Sequence, residues 1–122
     1  MLSVNRDREA FGRRVVGAYF LERGFSVELE CWRAKDAAGK LIYGLGEVDL
    51  FLVHPSKKLG LVVEVKARSS FASGLPLVTQ AQLLRLRRSR VYLLRKFPFL
   101  QIHLGLACVK VPSGQLEFLW NP

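Results

Sequence analysis

Two short strings carry the residues with chemistry in them. They are Gly46-Glu47-Val48-Asp49-Leu50 and Glu64-Val65-Lys66. Both sit within apolar, strand-like runs. Side chains two apart on a strand share a face. Glu47 therefore goes with Asp49, and Glu64 with Lys66. If the two strands pair, carboxylates from both and one ammonium converge on a small patch. Carboxylates that close repel each other unless a proton or a cation lies between them.

A patch of this kind suits hydrolysis of a phosphodiester. The phosphate must be neutralised, a water activated and the departing oxygen stabilised. A divalent ion held by carboxylates supplies the first two near neutral pH. Mg²⁺, or Mn²⁺ in its place, needs only one or two protein carboxylates besides waters and substrate phosphate. Asp49 and Glu64 fit as ligands, and the backbone carbonyl of Val65 is a further candidate. Lys66 is placed to hold the attacking water or to stabilise charge on the phosphate. The competing account is a Glu-x-Lys ion pair on an exposed strand face, which is worth little. Against it, Asp49, Glu64 and Lys66 all interrupt apolar strands. Charges persist in such places when paired or metal-bound.

The elements that must position these groups are legible from periodicity. Three- and four-residue steps through Phe11, Val15, Ala18 and Tyr19 predict a helix over 6–23, ended by Gly24. Alternation predicts a strand over 25–32, with Phe25, Val27, Leu29 and Cys31 on one side. A long glycine-containing link follows, whose middle, 40–43, extends the flanking strands as a hairpin. Strands are expected over 47–53 and 59–67, antiparallel across the turn at 54–58. A small, polar loop at 68–76 precedes a helix over 77–96, with Thr79 as its N-cap and Pro98 beyond its end. Strands over 101–111 and 115–120 complete the chain. The second helix is a crossover, so the third and fourth strands run parallel. The expectation is one α/β (α+β) domain over 1–122, a mixed sheet with a helix on each side.

On these residues the chain resembles the YraN-like family of bacterial proteins. The resemblance rests on Gly46-Glu47-Val48-Asp49-Leu50 followed by Val62-Val63-Glu64-Val65-Lys66-Ala67-Arg68. It extends into Pro76-Leu77-Val78-Thr79 and Arg85-Leu86, and back to Tyr19-Phe20-Leu21-Glu22-Arg23-Gly24-Phe25. That family belongs to the PD-(D/E)XK, or restriction-endonuclease-like, nuclease superfamily. The resemblance implies an α-β-β-β-α-β core and a Mg²⁺-dependent nuclease site. Asp49 and Glu64 would be its ligands and Lys66 its catalytic lysine. Glu47 matches the family's first acidic position, either as a partner of the site or as a solvated group. Two departures stand out. The family usually places a glutamate in the first helix about where Arg13 stands; the nearest acid is Glu9, one turn earlier on roughly the same face. It also tends to have a lysine near Gln82, where Gln80 and Gln82 keep a polar group.

Charge points the same way. Nineteen Lys and Arg against ten Asp and Glu give a formal net charge of +9, which favours a polyanionic partner. The excess is clustered rather than scattered, which favours DNA or another nucleic acid as partner over the plain reading of a merely soluble basic protein. Between Gln80 and Lys96 every charged residue is basic. On a helix, Leu83, Leu84, Leu86, Val91, Leu93 and Leu94 form one broad face, while Arg85, Arg88, Arg95 and Lys96 gather on the other with Tyr92. Those four suit phosphate contacts. Arg87 and Arg90 fall within the apolar arc and must snorkel, pair, or border a cleft or interface. Lys35, Lys57, Lys58 and Arg68 lie in loops expected to flank the same groove. Trp32 and Trp120 could stack on bases, but core or interface packing is the commoner role for each.

Two cysteines without zinc spacing read as buried strand residues rather than a disulfide framework. With no signal-peptide pattern and no membrane-length apolar run, the expected setting is the cytoplasm. The leading expectation is a metal-dependent endonuclease acting on DNA, with branched or damaged DNA as the suggested substrate, and by analogy with double-strand cutters a homodimer. Two alternatives stand beside it: a binding module of the same fold without catalysis, and a protein-interaction scaffold docking through the basic helix.

Overall fold

The computed structural model describes residues 4–69 and 78–122; of the loop expected over 68–76, Arg68 belongs instead to the third strand, while 70–76 and the expected helix start at Leu77 lie outside the described residues. The first helix, α1, is Val4–Leu21. Then come the strands β1 (Ser26–Trp32), β2 (Val48–His54) and β3 (Leu59–Arg68). A second helix, α2, spans Gln80–Lys96 and is followed by β4 (Gln101–Lys110) and β5 (Gln115–Trp120). The five strands form one sheet in sequence order. All neighbours are antiparallel except β3 and β4, which are parallel across the α2 crossover.

The alternation of β2 and β3 divides the core into two layers. On one face Val16 and Phe20 of α1 pack on Leu50, Leu52, Leu61, Val63 and Val65. On the other, Leu86 and Leu93 of α2 pack on Phe51, Val62, Ile102 and Leu104. Strand β3 is covered on both sides, as its apolar run predicts. Gly12 sets how closely α1 approaches: a Cβ there would stand 3.0 Å from Val65 and 3.3 Å from Ala67. Thr79 caps α2 with a complete capping box. Gln82 N–H donates to Thr79 Oγ1 at 3.1 Å, and Thr79 N–H donates to Gln82 Oε1 at 3.0 Å.

Three sequence expectations need correction. A bulge between Val27 and Leu29 breaks the alternation of β1, so Cys31 sits exposed at φ 49° while only Cys108 is buried. The 40–43 hairpin reduces to one isolated bridge, Lys35 to Leu41. The broad apolar face of α2 narrows to a stripe, because the helix rests on a single strand layer. Leu86, Ser89 and Leu93 are buried, while Leu84 and Val91 are exposed. Among the described residues no helix is long and apolar enough to cross a membrane.

Candidate active site

The β2–β3 ladder ends at Leu50 opposite Val63. Beyond it β2 stays paired to β1 as far as Val48, and β3 stays paired to β4 as far as Arg68. The two central strands therefore fork. Asp49 lies in the fork, buried at 7 % exposure. Its Oδ2 accepts the Val65 N–H at 2.8 Å, in the position a further rung of the ladder would fill. A strand residue sends its N–H and C=O to the same side, so the Val65 carbonyl also points into the fork.

Glu64 and Lys66 project from the same face of β3, towards the α2 layer. Lys66 Nζ is 3.3 Å from Glu64 Oε1, and their side chains are only 13 % and 16 % exposed. An exposed surface pair is thereby ruled out. Burial and the neighbouring Asp49 charge push the Glu64 carboxyl up to about 8, against the opposing pull of Lys66. Burial raises Asp49 as well, partly offset by the Val65 N–H and by a hydrogen bond from Glu64. Burial and mutual repulsion thus bias both carboxyl groups towards their protonated forms, Glu64 the more strongly.

The two carboxyl groups line a cleft of about 480 Å³, and Lys66, which is not itself in the lining, stands beside it against Glu64. Asp49 and Glu64 are at its base. Glu9 enters from α1, Gln82, Arg85 and Leu86 from α2, and Arg33 with Leu45, Gly46 and Glu47 from the β1–β2 link. Gly46 lets the link lie against α2: a Cβ there would be 3.2 Å from the Cβ of Arg85. Arg33 Nε pairs with Glu47 at 3.5 Å. Arg33 is the site residue that sequence reasoning misses. Its only signal is a basic residue one step beyond the strand that ends opposite Val48.

The first-helix acid in the cleft is Glu9. Arg13 instead pairs with Glu30 at 3.1 Å. Arg68, exposed, reaches the site through Glu9, with Nη1 3.8 Å from Oε1. Gln82 lines the cleft but spends its amide oxygen on the Thr79 cap, a structural duty the sequence expectation does not include. Arg88 leans over the link, with Nη1 3.1 Å from where a Cβ on Gly44 would lie. Arg95 shares its outward face about two turns further on.

Lys57 and Lys58 do not flank this cleft, which corrects the sequence expectation. They occupy the β2–β3 turn, and Lys58 lies about 20 Å along β3 from Glu64. They line a different groove with Arg90, Leu94 and Phe99. Lys35 and Lys96 line a third groove, with Trp32 and Tyr92.

Among the described residues no group of three or more His, Cys, Asp or Glu side chains is arranged to hold a metal ion. What the fork offers is two carboxylates and one backbone carbonyl. Hard oxygen donors of that number suit Mg²⁺ or Mn²⁺ completed by water and substrate oxygens. A cation bound between the two carboxylates would relieve the repulsion that raises them. Neither any protein-family model nor any curated protein sequence matches this chain.

Proposed function

We propose that this protein is a metal-dependent nuclease that hydrolyses phosphodiester bonds in DNA. The observation carrying the proposal is the convergence of Asp49, Glu64 and Lys66 in the β2–β3 fork, beneath a cleft with arginines on its rim.

Asp49, Glu64 and the Val65 carbonyl would hold Mg²⁺ or Mn²⁺, which when bound supplies Lewis-acid stabilisation and lowers the pKa of a coordinated water. The remaining work falls to the chain. Arg85 and Arg33 draw the phosphodiester into the cleft and offset its charge. Lys66, held by Glu64 beside the cleft, would offset the charge that develops on the phosphate. Glu9 is the acid placed to orient a water opposite Asp49. The Val65 N–H fixes one oxygen of Asp49 and leaves the other facing the cleft. The first turn of α2, lined up with Gln82 at the cleft, adds the positive end of its dipole.

The test is cleavage of single-stranded, duplex and branched DNA with Mg²⁺ or Mn²⁺. The wild type cuts, and Glu64→Gln and Lys66→Ala each lose about 100-fold or more. Equal cleavage by wild type and a Glu64→Ala/Lys66→Ala double variant overturns the assignment. DNA binding without cleavage under any metal leaves the non-catalytic binding module as the reading.

A further inference from the structure

The α2 helix presents three different outer flanks. At about 100° per residue, Arg85, Tyr92 and Lys96 fall within one narrow sector. That sector faces β1 and the β1–β2 link. Arg85 lines the cleft, and Tyr92 and Lys96 line a neighbouring groove of about 720 Å³. The opposite wall of that groove is Trp32, Arg33 and Lys35. Arg33 lines both cavities, so the groove and the cleft lie side by side with its side chain between them. Trp32 is opposite Val48 in the β1–β2 ladder, one residue from Asp49.

The chemistry of the groove is mixed in a particular way. The Trp32 and Tyr92 rings lie 5.8 Å apart, tilted at 41°, and both are half-buried. Lys96 Nζ is 5.7 Å from the Tyr92 ring centre. Lys35 and Lys96 have no ion pair among the described residues. The acid at this groove, Glu30, is matched by Arg13. Aromatic faces bracketed by cations attract two parts of a nucleotide at once, the base and the phosphate. In a duplex the base faces are already stacked on their neighbours, so only an unpaired strand can use such rings.

We infer that this groove is a single-strand track leading into the cleft, so that the DNA acted on carries an unpaired segment beside the scissile phosphate. This rests on the nuclease reading for what happens in the cleft, but not for the binding itself. From Arg85 to Lys96 the track runs about 16 Å along the helix. A flap, an overhang or a gapped strand would enter by Lys35 and Lys96, cross the two rings and present a phosphate between Arg33 and Arg85.

The experiment separates binding from cleavage. A Trp120→Phe background leaves Trp32 as the only tryptophan. Dodecameric oligothymidylate, its oligouridylate counterpart and a blunt duplex are titrated in EDTA. Oligothymidylate is expected to quench Trp32 and to bind about five-fold or more tighter than the duplex. Neutralising two surface cations, Lys35→Gln/Lys96→Gln, lowers the slope of log affinity against log salt by about 1.4, roughly 0.7 for each lysine. Tyr92→Leu, which keeps an apolar side chain on the flank, weakens oligothymidylate binding and leaves duplex binding unaltered. Unchanged Trp32 emission, equal affinity for duplex, or an unaffected salt slope overturns the track. Preference for oligouridylate overturns DNA as its occupant. Absence of metal-dependent cleavage with Trp32 quenching intact removes the nuclease reading and leaves the track standing. Cleavage of duplex interiors with no Trp32 response does the reverse.

Discussion

Glu64 is the residue whose protonation the fold controls most strongly. Its ordinary carboxyl value of 4.5 rises to about 8 through burial and the Asp49 charge. The native state thus keeps a proton that the unfolded chain loses, and stability falls as pH rises between those two values. The slope is about 1.4 kcal/mol per pH unit where it is steepest. Metal-free protein should therefore melt at progressively lower temperature from pH 4.5 to pH 8. Glu64→Gln, which cannot ionise, flattens most of that dependence and raises the melting temperature at the alkaline end; parallel melting curves for the two proteins across this range would contradict it. Adding Mn²⁺ should release a proton and stabilise the wild type most near pH 8, where the carboxyl gives up its hydrogen most readily. Asp49, Glu64 and Lys66 were open to sequence reasoning because each breaks an apolar strand. Arg33 and the capping duty of Gln82 were not, since neither depends on periodicity. One depends on where a link returns and the other on a turn of three residues.

At the scale of elements, the site depends on how tightly the layers close behind it. Gly12 allows α1 to touch the strand that carries Val65. Gly12→Val forces the helix off β3, and overpacking of this kind costs about 1–3 kcal/mol. Denaturant unfolding should register that loss, and cleavage should fall with it because Val65 moves. Thr79→Ala removes half of the capping box and is expected to cost about 1 kcal/mol. The backbone N–H at position 79 survives the change, so the Gln82 side chain keeps its own bond and its place at the cleft. Unaltered denaturation midpoints in both variants would show that these contacts contribute little. The helices, the five strands and the parallel pairing of β3 with β4 all follow from periodicity and from the length of the crossover. The bulge in β1 does not, because the run 25–32 alternates cleanly in sequence. The narrow buried stripe of α2 is equally hidden. Leu84 and Val91 read as core residues until the helix is seen resting on a single layer, with its outer side unpacked.

For the whole molecule, the positive charge is distributed rather than focused. Arg85 and Arg33 are at the cleft, Lys35 and Lys96 at the groove beside it, and Lys57 and Lys58 at the far end of the sheet. Neutralising the distant pair, Lys57→Gln/Lys58→Gln, should weaken DNA association little and leave cleavage near wild type. Neutralising Arg85 should reduce both, most visibly at low salt. Filter binding over a salt series discriminates the two cases, and equal losses would place the distant turn on the DNA path after all. The net charge of +9 predicts an anionic partner but not which surface meets it. That division becomes visible only when the folded chain puts the first turns of α2 at the cleft and its second half, with Arg90 and Leu94, beside the β2–β3 turn.

The fork between β2 and β3 has a consequence for how such a centre can be lost. One more rung of backbone pairing, with the Val65 N–H meeting a carbonyl of β2 instead of the Asp49 carboxylate, would zip the strands together and squeeze the opening shut. Every charged group would still be encoded, yet nothing could enter between them. Inactivation could thus arise by tightening the sheet, in a protein that melts higher than its working relative.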